Sequence, residues 1–237
     1  MLKVVENAIP IACWSCSVAH NESSLFCPHC SKIQPPFSGD YFSVFGLEPR
    51  LNIDPAALEQ DFHRLSRRLH PDRFARASEN EKQWSLADTG LLNDAYRTLR
   101  DPLRRTEYLL GLKVAGIGAS AAALSGAAPA QYQEETPRVP DDLLEEIFDL
   151  NMKFEELRMA KKIGKEEREL KESFLQAKEK FEGMVDAADR DLRMQWTIWD
   201  DGDEAAREQA QRAMVALLDR RRYLSNLVRE ATELLGD

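Results

Sequence analysis

Apolar residues recur along the chain with a helical period. Leu58, Phe62, Leu65 and Leu69 follow one another at spacings of four, three and four, which is one buried stripe of a helix. Asp54-Pro55 opens it, with a capping side chain before the residue best tolerated in a first turn. A second stripe starts behind the capping box Ser78 to Glu81. It carries Trp84, Ala87, Leu91 and Ala95, with Leu92, Tyr96 and Leu99 one line over, all expected to face inward. Asp40 caps a short helix with Tyr41, Phe42, Val44 and Phe45, ended by Gly46. Asp101-Pro102 begins another through Leu109 and Leu110, stopped by Gly111. Beyond residue 140 three long stripes follow. Leu143, Ile147, Leu150, Phe154 and Leu157 lie within roughly 40° of one line. The next runs from Leu170 through Phe174, Phe181, Ala188 and Leu192 to Trp199, and Asp200-Asp201-Gly202 breaks it. The last carries Ala206, Ala210, Ala213, Leu217, Leu224, Leu227, Ala231 and Leu234. Three such helices with short turns predict an antiparallel three-helix bundle, and the fold class is mainly all-α.

Two stretches escape the pattern. Residues 112–140 are rich in Ala, Gly, Ser and Pro, with too little bulky apolar surface to offset the entropy of ordering, and read as a linker. Residues 1–39 hold all four cysteines, as Cys13-x2-Cys16 and Cys27-x2-Cys30. About 40 residues have too little core to fold unaided. Two such pairs can wrap a tetrahedral ion with four thiolates, the closed arrangement of structural zinc. Disulfides need an oxidising compartment, and a rubredoxin-type iron site is the other alternative. His20 and His29 read as solvent-facing spares. The expected division is a zinc module over 1–39, a helical hairpin domain over 40–111, a linker over 112–140 and a bundle over 141–237.

Charge narrows the function classes. The net charge of −9 is concentrated in residues 111–237, with 19 basic and 27 acidic side chains. That balance argues against nucleic acid, which needs clustered Lys and Arg. No apolar run approaches the roughly 18 residues of a membrane span. Nothing at the N-terminus reads as a signal peptide or transit segment. The expectation is a bacterial cytoplasm, with the mitochondrial matrix as the alternative.

The chemistry-bearing stretch lies between the two hairpin stripes. Pro71 has no amide hydrogen to continue the helix and pushes His70 out of helical geometry. His70, Pro71 and Asp72 are thus presented at a loop tip. Arg73 follows them, and His63, Arg64, Arg67 and Arg68 form a basic patch off the buried stripe. An Asp two residues after a His also suggests acid–base chemistry. No Ser or Cys nucleophile with a matched partner accompanies it, so a docking loop is the preferred reading.

A short helix, a long basic helix, a His-Pro-Asp turn and a second long helix together resemble the J domain of DnaJ-type co-chaperones. The resemblance implies that His70, Pro71 and Asp72 contact a DnaK-type chaperone and stimulate its ATP hydrolysis. Arg64, Arg67, Arg68 and Arg73 would meet acidic surface on that partner. The junction from Thr98 to Leu110, followed by an acidic helical bundle, resembles the HscB family of iron–sulfur cluster co-chaperones, some of which add a four-cysteine zinc module. On the first bundle helix, Leu144, Phe148 and Met152 lie about 100°, 140° and 180° from the core line. The resemblance implies that Leu144, Glu145, Phe148, Asp149 and Met152, with Tyr223 on the last helix, contact an IscU-type scaffold. Glu145 stands where the family often has an apolar residue and Met152 where it often has an acidic one, so the patch is rearranged. The implied role is that of an adaptor without chemistry of its own, joining an HscA/DnaK-type ATPase to the scaffold, with weak homodimerisation left open. A generic J protein with another client, and a metal-thiolate redox protein, are the alternatives.

Overall fold

The computed structural model describes residues 11–20, 24–115 and 168–235, and residues 144, 148, 149, 152, 153, 155, 156 and 159. The chain divides into two compact units, Met1–Gln131 and Tyr132–Asp237. The expected core stripe Leu143, Ile147, Leu150, Phe154 and Leu157 lies outside the described residues, as does most of the expected linker.

The first unit includes the cysteine segment, whose regular structure among the described residues is a two-residue antiparallel pair, β1 (Ile11–Ala12) with β2 (Ala19–His20), and a bridge between Phe26 and Ile33. Helices follow: α1 (Tyr41–Val44), α2 (Pro55–Leu69), a 3-10 turn (Pro71–Phe74), α3 (Glu79–Arg100) and α4 (Pro102–Ala115). Their starts lie where the capping residues predict. Asp40 accepts from the Ser43 amide, Asp54 from Ala56, Asp101 from Leu103, and Ser78 with Glu81 forms a complete capping box. Gly46 takes φ +67 at the end of α1, a left-handed conformation that glycine adopts at no steric cost.

α2 and α3 form the hairpin. Leu58, Leu65 and Leu69 are buried opposite Leu92, Ala95 and Leu99, and Phe62 stacks on Tyr96 with ring centroids 4.1 Å apart. α1 closes one end, where Phe42 is fully buried, Tyr41 stacks on Tyr108 at 4.5 Å, and the Tyr108 hydroxyl accepts the Tyr41 amide. Each fully buried large apolar side chain here contributes about 1.5–3 kcal/mol.

Two details differ from the pattern-based expectation. Ala87 is exposed, because the buried line of α3 runs Glu81, Ser85, Asp88, Leu92, Ala95, Leu99, polar over its first half. α4 continues through a buried Gly111, with Leu112 also buried, to Ala115, four residues into the stretch read as linker. A helical glycine costs about 1 kcal/mol against alanine, less than the burial of Leu109, Leu110 and Leu112 around it returns.

In the second unit, residues 144, 148, 149, 152, 153, 155, 156 and 159 are helical. α5 (Arg168–Asp201) and α6 (Glu204–Leu235) pack antiparallel. Phe174, Phe181, Leu224, Leu227 and Ala231 form one core cluster. Ala188, Leu192, Trp196 and Trp199 on α5, and Ala210, Met214 and Leu218 on α6, are buried farther along. The α6 stripe thus passes through Met214 and Leu218, one position later than the expected Ala213 and Leu217, which are half-buried. Arg221 makes a two-point ion pair with Asp189 across the helices. At the turn, a Cβ on Gly202 would collide with the Ile198 carbonyl, so only glycine fits there.

Candidate functional site: a thiolate cluster and a proline-bent loop

The two cysteine pairs sit on matching turns. Ser17 donates its amide to the Cys13 carbonyl and Ser31 to that of Cys27, at 2.9 and 3.0 Å, and both serines adopt φ 58. Inside each turn a backbone amide points at the first sulfur, Ser15 to Cys13 and His29 to Cys27, both at 3.4 Å. Such donors stabilise negative charge on sulfur. The Gln34 side-chain amide adds a third, 3.5 Å from Cys13 Sγ. The four ligand atoms lie within 4.8 Å of one another, with Cys13–Cys30 at 3.6 Å and Cys16–Cys27 at 3.8 Å. A disulfide needs about 2.05 Å between sulfurs, and all four thiols are free. Four sulfurs about 2.3 Å from a tetrahedral ion stand about 3.8 Å apart. The cluster therefore fits one closed metal ion. Cys13 and Cys27 are buried and Cys16 and Cys30 half-buried, and His29 is exposed. The side chain of His20 lies outside the described set.

At the hairpin tip, His70 ends α2 with φ −53 and ψ 126, the extended geometry a following proline demands. Pro71 occupies the first position of the 3-10 turn, where no amide is needed. The His70 carbonyl accepts the Arg73 amide at 2.9 Å, and His70 Nδ1 accepts that of Asp72 at 3.3 Å. The Asp72 side chain is 91% exposed, 3.5 Å from the imidazole. His70, Pro71, Asp72 and Arg73 all face solvent, while Leu69 directly before them is fully buried. Its carbonyl accepts the hydroxyls of Ser85 at 2.6 Å and Thr89 at 3.3 Å, which fixes the end of α2 to α3.

The basic patch is split. Arg64 is exposed and held by Asp61, and Arg67 is exposed with its Nε on the His63 carbonyl. Arg68 is half-buried, its guanidinium 4.0 Å over the Phe26 ring of the cysteine module. On the second unit, Leu144, Phe148 and Met152 are exposed at 54, 65 and 50%, and Asp149 is exposed beside them. Met159 continues the line at 68%. Glu145 lies outside the described residues. Tyr223 packs half-buried against the α5–α6 core, and burial, with Glu230 adding, raises its hydroxyl pKa.

No sequence motif foreshadows the seam between the cysteine module and α3. Lys32 pairs with the buried Glu81 at 3.0 Å, and this partner holds the Glu81 pKa below the usual carboxylate range. Trp14 meets Trp84 edge to face at 5.7 Å. Asp88 accepts the Phe37 amide at 3.1 Å with one oxygen. Its other oxygen is buried without a partner, and desolvation pushes the group up to about 6. The available signal is the apolar line of α3 continued by Glu81, Ser85 and Asp88, a face shaped for polar backbone.

No protein-family model matches the chain. It is 39% identical over 105 residues to the mouse iron–sulfur cluster co-chaperone protein HscB, covering 43% of this chain and 45% of that protein. It is 46% identical over 74 residues to a Vibrio cholerae HscB homolog, covering 31% and 43%. The chain thus spans less than half the length of these two curated relatives. The crystal structure of human co-chaperone protein HscB superimposes over 94% of this chain and 98% of its own, with a TM-score of 0.61 at 27% identity.

Proposed function

For a chain that is HscB-like in sequence over part of its length and in fold over most of it, we propose the role of a J-domain co-chaperone in iron–sulfur cluster assembly. His70, Pro71 and Asp72, flanked by Arg64, Arg67 and Arg73, would dock on an HscA/DnaK-type chaperone and raise its rate of ATP hydrolysis. The observation that carries this is the loop itself: exposed at its tip, buried at Leu69, and tied to α3 through one carbonyl. Rigid presentation suits recognition.

The second surface is the exposed line Leu144, Phe148 and Met152 beside Asp149, offered to an IscU-type scaffold. Glu145 and Tyr223 belong to the same assignment by resemblance. Holding both partners raises their effective concentration at each other without chemistry by this chain. The metal of the cysteine cluster is zinc in this reading, and its role is structural because four thiolates leave no open position.

One paired experiment tests the reading. Asp72→Asn should abolish ATPase stimulation of an HscA/DnaK-type chaperone while scaffold binding persists. Leu144→Ala with Phe148→Ala should weaken scaffold binding while stimulation of the chaperone alone persists. Normal stimulation by Asp72→Asn, or undiminished scaffold binding by the double variant, would remove the corresponding site.

A further inference from the structure

The cysteine module touches the hairpin at residues neighbouring those that hold the loop's root. Arg68 and Leu69 are the last two residues of α2 before His70. Arg68 lies over the Phe26 ring. Leu69 is bonded through its carbonyl to Ser85 and Thr89 of α3. The module covers the same stretch of α3, through Lys32 on Glu81, Trp14 on Trp84 and the Phe37 amide on Asp88. Glu81, Ser85 and Asp88 are all buried, although each is polar.

We propose that the module is a brace for the His-Pro-Asp loop, and that metal occupancy governs how firmly the loop's root is held. Arg68 is then a positioning residue bound to Phe26 rather than a contact for the chaperone. The physical chain is short. Without its ion a segment of this size cannot stay folded, because the binding free energy is its folding free energy. Its collapse strips Phe26 from Arg68 and admits water to Ser85 and Asp88. Water then competes for the Leu69 carbonyl, which becomes a frayed helix end. The coupling needs no partner; only its consequence for ATPase stimulation rests on the function proposed above.

Hydrogen exchange on the full chain tests it. The metal is removed with a chelator under reducing conditions and restored with zinc. The amides of Asp72, Arg73 and Ala77 are each hydrogen-bonded within the loop region. In the metal-free protein they should exchange about tenfold faster or more, together with amides of 81–89, and recover on zinc addition. α5 and α6 lie in the other unit and serve as the internal control. Phe26→Ala with Lys32→Ala should retain one metal per chain yet show the same increase at 72–77, more weakly. A metal-free protein whose exchange rises only within 11–37 overturns the proposal, as does a metal-loaded double variant with unchanged exchange at 72–77. ATPase stimulation is measured separately: if the loaded wild type stimulates nothing, the proposed function fails while the exchange result still decides the brace.

Discussion

The cysteine module and the α5–α6 pair solve the same problem by opposite means. The module has Cys13, Leu25, Cys27 and Ile33 as its buried apolar residues. What holds it is a thiolate cluster and a seam of polar contacts to α3. The helix pair buries a continuous apolar line from Phe174 to Trp199 against Ala210 to Ala231, with the Arg221–Asp189 ion pair bridging the two helices at its edge. The first is held by few interactions of high individual weight, the second by many of modest weight. A region of the first kind fails all at once when one member is lost, while a region of the second kind degrades in proportion to what is removed.

The largest effect should come from breaking the cluster. Cys27→Ser leaves three thiolates, and structural zinc sites contribute on the order of 10 kcal/mol to folding in small modules. Metal content by elemental analysis should fall from one per chain to a small fraction, and limited proteolysis should open residues 11–37. The melting of α5–α6 should not move; a shift there would break the contrast between the units.

A smaller loss is expected from Phe174→Ala, which empties a fully buried site in the helix pair. It should cost about 3–5 kcal/mol by urea unfolding of the second unit, with metal content unchanged. Loss of metal in that variant would show that the units are not independent.

The smallest effect concerns the seam. The Asp88 carboxyl titrates near 6 when folded, above its ordinary value near 3.9. A raised carboxyl pKa means the folded state prefers the protonated form, so this group's cost grows as pH rises from about 4 and is complete above about 6. Asp88→Asn keeps the acceptor for the Phe37 amide and removes the buried charge. It should stabilise the first unit by on the order of 2 kcal/mol at pH 7.5, and the gain over wild type should shrink towards pH 5. A pH-independent difference in urea midpoints would show that the charge is not what matters there.

Much of this architecture is legible in the chain itself, because local rules act there without competition. Asp54-Pro55, Ser78 to Glu81 and Pro71 each set a boundary through their own backbone chemistry. The expected mainly helical fold, with a cysteine cluster at the N-terminus, is the one found. Legibility ends where tertiary packing decides. Gly111 reads as a stop but lies inside α4, because neighbouring leucines are buried around it. Ala87 reads as inward by period, yet Ser85 and Asp88 take the inward line because each meets a backbone group there, the Leu69 carbonyl of α2 for Ser85 and the Phe37 amide of the cysteine module for Asp88. Arg68 reads as one of four surface cations, and only the fold places Phe26 under it. Periodicity identifies apolar faces well; it does not say what stands opposite a polar one.

The Leu69 carbonyl has a thermodynamic consequence for the loop. With Ser85 and Thr89 already bonded to it, the corner that follows is pre-shaped before any visitor arrives. A preorganised epitope surrenders little conformational entropy on association. Three or four exposed side chains can then supply useful affinity while still letting go quickly, which suits the repeated engagement and release of the role proposed above.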